Sequence, residues 1–181
     1  MSVFVAEELS DLLNTRVTIG RINIGLLNRI IIDDVLLDDQ DEQEMLKVTR
    51  LSAKFDIMPF FKGKISISSV QLFGFNINLQ KKTPDSPPNF KFVLDAFASN
   101  DTVKKDNSLD LRINSILIRR GRMAYHVLSE EETPGKFNAK HVQLQNIIAN
   151  ISLKALSKDS INLGIKRLSL DEKVSGFSLK K

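Results

Sequence analysis

The chain has 181 residues, of which 42% are hydrophobic and 27% charged, a composition that supports a folded core and argues against disorder. Its net charge of +4 is too small by itself to indicate a nucleic-acid partner. The absence of cysteine excludes disulfides, thiol nucleophiles and cysteine-ligated metals. No apolar run reaches the roughly 18 residues that a membrane-spanning helix needs, and the first residues lack the basic start and long apolar stretch of a secretory signal.

The first predicted element is a short amphipathic helix within residues 1–14. Val5, Leu9, Leu12 and Leu13 recur at helical spacing, and acidic residues occupy the opposite side, as in a helix with one buried face. We expect this helix to cap one end of a sheet. The alternative is that it continues a membrane anchor lying upstream.

After the helix, the period of the apolar residues changes to two. Apolar and polar residues alternate through 16–79 and again over 109–181, as in strands of a sheet with one buried face. Helices after most strands, which an alternating α/β fold requires, are missing. The sequence therefore predicts one mainly β module over residues 1–181, with an elongated, curved antiparallel sheet.

The two strand-rich regions are separated by residues 80–108, which predict a loop because they are rich in proline and small polar residues. Within this loop, helical periodicity returns briefly at 91–98, and Asn89 is placed to be the N-cap of that helix.

One apolar spacing recurs along the strands: two apolar residues separated by one position, a gap of two polar positions, then a second such pair. In a straight strand the gap would turn the second pair to the opposite face, so each copy predicts a bulge or bend. Repeated bends would curl the sheet into a trough; the alternative is an ordinary sandwich in which the spacing arises by chance. The copies are Ile30-Ile32-Val35-Leu37, Ile65-Ile67-Val70-Leu72, Leu111-Ile113-Ile116-Ile118, Leu163-Ile165-Leu168-Leu170 and a weaker Val142-Leu144-Ile147-Ala149.

Clusters that could carry chemistry are few. The acidic run over 33–44 lacks the loop glycine of an EF-hand, and a solvated turn is the simpler interpretation. His126 and His141 have no acidic partner at a recognisable ligand spacing. No nucleophile elbow or phosphate-binding glycine loop occurs. We therefore predict a non-enzymatic protein without a cofactor or a metal.

The strongest basic cluster is Arg119-Arg120-Gly121-Arg122. Nucleic-acid modules usually combine such clusters with stacking aromatics, whereas most Phe residues here lie in apolar patterns and Trp is absent. We expect no nucleic-acid partner. The cluster is either a solvated strand end or a contact for anionic lipid headgroups through Arg119, Arg120 and Arg122.

Several segments, taken in order, resemble the N-terminal region of the TamB/AsmA-like family of Bacteroides-type bacteria. They include RVTIGRINIGLLNRIIIDDVLLDD, LSAKFDIMPFFKGKISISSVQLFGFNINLQKK, PNFKFVLDAFAS and DLRINSILIRRGRMAYHVL. The resemblance covers nearly the whole chain. Within it, the short helix, the VTIG strand, the LSAKFDI strand and the KGKISISSVQLFG unit are specific in this order.

The resemblance implies a periplasm-crossing protein with a repeating β-groove, tethered to the inner membrane by an anchor just upstream of residue 1. It implies a role in outer-membrane biogenesis, through phospholipid transport between the two membranes. Because the family's C-terminal domain is not in this sequence, we expect an N-terminal fragment or a truncated paralogue. The second hypothesis is a scaffold for outer-membrane protein translocation or assembly, which docks an assembly protein by strand addition.

Under the leading hypothesis, apolar side chains of the repeats line a groove for phospholipid acyl chains. For each candidate the alternative is plain packing between strands. The candidates are Ile65, Ile67, Val70, Leu72, Ile77, Leu79, Ile113, Ile116 and Ile118.

Overall fold

The computed structural model describes residues 2–26, 28–55, 65–99, 109–110, 114–156 and 161–181. Neither of the helices in these ranges is long and apolar enough to cross a membrane. The helices are α1 (Ser2–Leu13) and α2 (Lys91–Ser99). The strands are β1 (Val17–Gly25), β2 (Arg29–Asp38), β3 (Glu44–Phe55), β4 (Ile65–Lys81), β5 (Leu109–Asp110), β6 (Ser115–Val127), β7 (His141–Leu156), β8 (Ile161–Glu172) and β9 (Ser178–Lys180).

The strands form one open, curved sheet, which confirms the predicted mainly β fold. Their order is β1-β2-β3-β4-β6-β7-β8-β9, and the short β5 pairs with β4 outside this path. The other ladders are antiparallel, but β4 is parallel to both β5 and β6, so the sheet is mixed rather than wholly antiparallel. The cause is the connection between the two strands. The chain leaves β4 at Lys81, passes through α2 and begins β6 at Ser115, and this connection is long enough to return to the same end of the sheet.

Both helices pack at one end of the sheet. Leu13 of α1 is buried in a cluster with Val17, Leu37 and Met45, and three residues of α2 pack against that cluster. The predicted helix at 91–98 is confirmed. In α1, however, Ala6 is buried, whereas Leu12, expected on the buried face, is 41% exposed.

The ends of the helices follow local backbone chemistry. Helix α1 ends at Leu13, and the next residue, Asn14, adopts a left-handed conformation with φ 48°, a common helix stop. The prediction that Asn89 caps α2 is wrong. Its side chain instead accepts a hydrogen bond from the Gln80 amide and donates to Asp39 and to the Asn78 carbonyl.

A line of irregular backbone, which we call the crease, crosses six strands. Left-handed residues occur along it at Asp34, Gly74, Arg120 and Asn146, with φ between 54° and 65°. Non-glycine residues rarely adopt this conformation. On β1 and β3 the crease passes through Gly20, which faces Asp34, and Thr49, which faces Gly74.

The repeat hypothesis located two of the four left-handed residues on the crease, and some register shifts elsewhere in the sheet. Among the predicted gaps, Asp34 and Asn146 are left-handed, and the ladders shift register beside Ser68, Gln145 and Lys166. The gap at 114–115 lies at the start of β6, and the first half of that copy falls outside the described residues. The bends at Gly74 and Arg120 were not predicted, because they lie outside the copies chosen in β4 and β6.

Candidate apolar binding face

One face of the sheet, which we call the apolar face, presents aliphatic side chains in rows that run across the strands. The ladders pair Ile22 with Ile32, Ile32 with Leu51, Leu51 with Leu72, Leu72 with Ile118 and Ile118 with Ala149, forming one row. A second row comprises Ile24, Ile30, Ala53, Val70, Ile116 and Ile151.

Two further rows lie on the other side of the crease, nearer the helices. The first comprises Ile19, Val35, Val48, Phe75, Gly121 and Ile147. The second comprises Val17, Leu37, Leu46, Ile77, Met123 and Leu144.

The crease keeps all four rows on the same face. Residues from both sides of it, including Leu51 and Leu72 on one side and Leu46 and Ile77 on the other, pack against the buried Val48, Phe75 and Ile147. In a straight strand, the gap of two residues between Leu72 and Phe75 would place them on opposite faces. The left-handed Gly74 between them removes that inversion.

Exposure increases along the apolar face with distance from the helices. Val48, close to the crease on the helix side, is 3% exposed, whereas Ile24 in the farthest row is 80% exposed. Val70 and Ile116, in the same row as Ile24, are half-buried. Among the described residues, the apolar face is therefore most buried beside the crease on the helix side and most exposed in the row farthest from the helices.

The described groove candidates lie together on the apolar face. Val70, Leu72, Ile116 and Ile118 occupy the two rows beyond the crease, and Ile77 lies in the row nearest the helices. Leu79 follows two positions later on β4 and is half-buried. Ile113 lies outside the described residues, as do the side chains of Ile65 and Ile67, although both of the latter belong to β4.

Sequence reasoning missed the most buried residues of the apolar face beside the crease. Phe75 is 6% exposed and Val48 3% exposed, yet neither was among the candidates. Strand β3 carries the same spacing as the repeats, with Leu46, Val48, Leu51 and Ala53. That match was the available signal, and aligning it with Val70, Leu72, Phe75 and Ile77 of β4 would have located the bend at Gly74.

The other face of the sheet, the outer face, carries charged residues along the crease. Arg21, Asp33, Arg50, Phe73 and Arg119 pair in succession across the strands and line a cleft of about 620 Å³. Asp33 accepts a hydrogen bond of 2.6 Å from Nε of Arg50. That bond, assisted by the positive charges of Arg50 and Arg21, lowers the pKa of Asp33 below its ordinary value in spite of burial.

The arginines expected to contact headgroups belong to this outer face. Arg119 pairs with Phe73 and lines the cleft, and the guanidinium of Arg120 lies 5.1 Å from the centroid of the Phe73 ring. Arg122 is exposed on the same side, near Lys47 and Asn76. The structure thus separates the basic cluster from the apolar face. Arg119 and Arg122 alternate with residues of the apolar face, and the left-handed backbone at Arg120 interrupts the alternation between them.

The arrangement is suited to holding hydrocarbon. A broad aliphatic surface without charged side chains in its rows favours acyl chains through burial of apolar area alone, at about 25 cal/mol per Å², and imposes no directional contact.

Compared with known proteins, the chain matches no family model and no curated sequence.

Proposed function

We propose that the chain binds phospholipid acyl chains along its apolar face and forms a segment of a lipid conduit between the inner and outer membranes. The observation that carries the proposal is the set of four apolar rows, each of which crosses six strands. Most side chains of the two rows beyond the crease remain partly exposed, and Ile24 is 80% exposed, as expected of a surface that receives an apolar ligand.

In this function, acyl chains lie in the open part of the apolar face and headgroups remain in water at its margin. Helices α1 and α2 block the capped end, so lipid enters and leaves from the end that carries Ile24, Val70 and Ile116. The chain's own chemistry is non-enzymatic. The periplasmic location and the inner-membrane tether belong to the same proposal and are supported by the resemblance to the TamB/AsmA-like family.

Two adjacent residues of β6 give a matched test. Ile116 lies in the row of the apolar face farthest from the helices, whereas Leu117 lines the cleft on the outer face, and both are half-buried. The chain is expressed in bacteria, purified without detergent and extracted for lipid mass spectrometry. We expect phospholipid with the parent chain, a several-fold loss with Ile116→Gln and no loss with Leu117→Gln.

Circular dichroism and thermal melting establish that both variants are folded. A folded parent chain that carries no lipid, or an equal loss in both variants, would contradict the proposal. The pair therefore separates lipid held on the apolar face from lipid carried non-specifically.

A protein-binding scaffold is the second candidate function. Within the described part of the chain, the nine-residue β1 pairs with β2 alone. Ser10 of α1 bonds the backbone of Val17 at the start of β1, so the far half of the other edge, around Asn23, is where a strand could be added. A photo-crosslinker placed at the exposed Asn23 of β1 tests this function. Crosslinks to one defined protein would favour the scaffold, whereas crosslinks to lipid at the apolar face would favour the conduit.

A further inference from the structure

The two histidines of the chain meet at the end of the sheet that the helices cap. His126 of β6 and His141 of β7 are direct cross-strand partners, and their Nδ1 atoms lie 3.1 Å apart. The sequence contains two histidines and no cysteine, so both imidazoles are at this one place. The separation of the two histidines in the sequence gives no sign of this contact, because a long loop lies between the two strands.

A carboxylate from that loop completes the cluster. Oε1 of Glu132 lies 3.9 Å from Nδ1 of His126, and the three ligand atoms of His126, His141 and Glu132 all lie within 4.8 Å of one another. The expectation that the histidines lack an acidic partner is therefore wrong. Glu132 is exposed, His126 is half-buried and His141 is buried.

The separation of the two nitrogens suits a shared metal ion. Zn²⁺ binds imidazole nitrogen at about 2.0–2.1 Å in a tetrahedral arrangement, which sets two such nitrogens roughly 3.3 Å apart. The observed 3.1 Å is close to this value. A small movement of the exposed Glu132 side chain would bring its oxygen into range as the third ligand.

The surroundings already orient the buried histidine as a ligand. Nε2 of His141 lies 2.9 Å from the Glu130 carbonyl oxygen, and because a carbonyl can only accept, Nε2 is the protonated nitrogen. Nδ1 of His141 then presents its lone pair to His126 and Glu132. In most metal sites, the second nitrogen of a ligand histidine donates its proton to an outer-shell group such as a carbonyl.

The loop that carries Glu132 is fixed at its two ends. Lys140 forms an ion pair of 2.6 Å with Glu130, and the Val127 amide donates to the Lys140 carbonyl at 2.9 Å. The Asn138 side chain also donates to the Glu131 carbonyl. The cluster is therefore built on a braced hairpin rather than on a free loop.

We propose that His126, His141 and Glu132 bind one Zn²⁺ ion or a similar borderline divalent transition metal. Two nitrogens and one oxygen suit such ions better than they suit Ca²⁺ or Mg²⁺, which prefer oxygen ligands. A fourth position remains for water or an external ligand. The ion would hold the β6–β7 hairpin together beside the end of β4, where Gln80 pairs with His126.

The test uses the full chain without an affinity tag, stripped of metal and titrated with Zn²⁺ by calorimetry. We expect one ion per chain, no binding to His126→Asn, and at least about a tenfold loss of affinity with Glu132→Gln. Glu131→Gln, which removes the adjacent exposed carboxylate, is the matched control and is expected to bind as the parent does.

Nitrogen-15 spectra of the imidazoles give a second measurement, which uses the parent chain and therefore needs no folded variant. Zn²⁺ is expected to shift the Nδ1 resonances of both histidines and to leave Nε2 of His141 protonated. Absence of binding would mean that the two imidazoles share only a hydrogen bond, and the proposal would fall. Binding that survives His126→Asn, or that moves the Nε2 resonances instead, would also overturn it.

Discussion

The ring of Phe75 lies directly against Gly121 of the neighbouring strand. A Cβ built at position 121 would be 2.3 Å from Cε1 and from Cζ of Phe75, and 3.0 Å from Cβ of Ile147. The absence of a side chain at Gly121 therefore gives the ring its place in the core on the apolar face. This contact joins β4 to β6, the one parallel pair of the main path.

Gly121→Ala is expected to destabilise the chain by about 1–3 kcal/mol, the usual cost of overpacking a core. Chemical denaturation with linear extrapolation measures the free energy of unfolding. Phe75→Leu removes the ring atoms that the new methyl would meet, so the double variant should cost less than the sum of the single variants. Additive costs would mean that the two positions do not compete for the same space.

A second prediction concerns the crease at Gly74. Its φ of 65° is strained for any L residue, and an added Cβ would be 2.7 Å from Oγ1 of Thr49. Gly135, with φ 75° and no atom within 4 Å of a built Cβ, is the matched control for backbone strain alone. We expect Gly135→Ala to cost about 1–2 kcal/mol and Gly74→Ala to cost more, as measured by thermal and chemical unfolding. Equal costs would show that the Thr49 contact relaxes freely.

The sequence predicted these features unevenly. Alternation was sufficient to predict a mainly β fold, helical periodicity the helix at 91–98, and the recurring gap the irregularities at Asp34 and Asn146. The bend at Arg120 was not predictable from local pattern, because arginine has no preference for left-handed backbone. The position is stabilised in part by the Phe73 ring beneath its guanidinium, a contact that exists only once β4 and β6 are parallel neighbours.

The candidate residues also differ in whether local pattern or pairing between strands determines their position. Val70, Leu72, Ile116 and Ile118 were recognisable from spacing within a strand, and the structure places them on one face. The pairing of His126 with His141 depends instead on the register across a long hairpin. No periodicity within either strand encodes that register.

A third prediction concerns acid stability through Glu172. Burial of its carboxylate raises the pKa, but hydrogen bonds from the Ser175 side chain and from the amides of Ser175, Val174 and Gln143 outweigh burial and lower the pKa from 4.5 to about 2. The stabilisation is therefore complete above about pH 4.5 and is lost as the pH falls toward 2.

Glu172→Gln should destabilise the chain at neutral pH by about 1–3 kcal/mol, since buried donors lose a charged acceptor. The difference from the parent chain should shrink between pH 4.5 and 2, as unfolding curves at several pH values would measure. Glu131→Gln, at an exposed carboxylate, is the control and should leave the curves unchanged. A penalty independent of pH would contradict the hydrogen-bonding argument.

The last prediction concerns how the capped end is held closed. The carboxylate of Asp39, a residue only 2% exposed, accepts hydrogen bonds from the side chains of Gln80 and Asn89 and from the amides of Asp41 and Gln43. Burial raises the pKa of Asp39, and these bonds together lower it below its ordinary value. One side chain thus connects the β2–β3 turn, the end of β4 and the approach to α2.

Removing that connection should loosen α2 without unfolding the sheet, since the helix lies at the end of the sheet and packs there against the cluster around Leu13. For Asp39→Ala we expect faster hydrogen–deuterium exchange in Lys91–Ser99 and in the β2–β3 turn, with β6 and β7 unchanged. Asp85→Ala, at an exposed carboxylate in the same connection, should leave exchange unaltered. If α2 exchanges at the parent rate in Asp39→Ala, the helix is held by apolar packing alone, and the polar connection has no part in closing the apolar face.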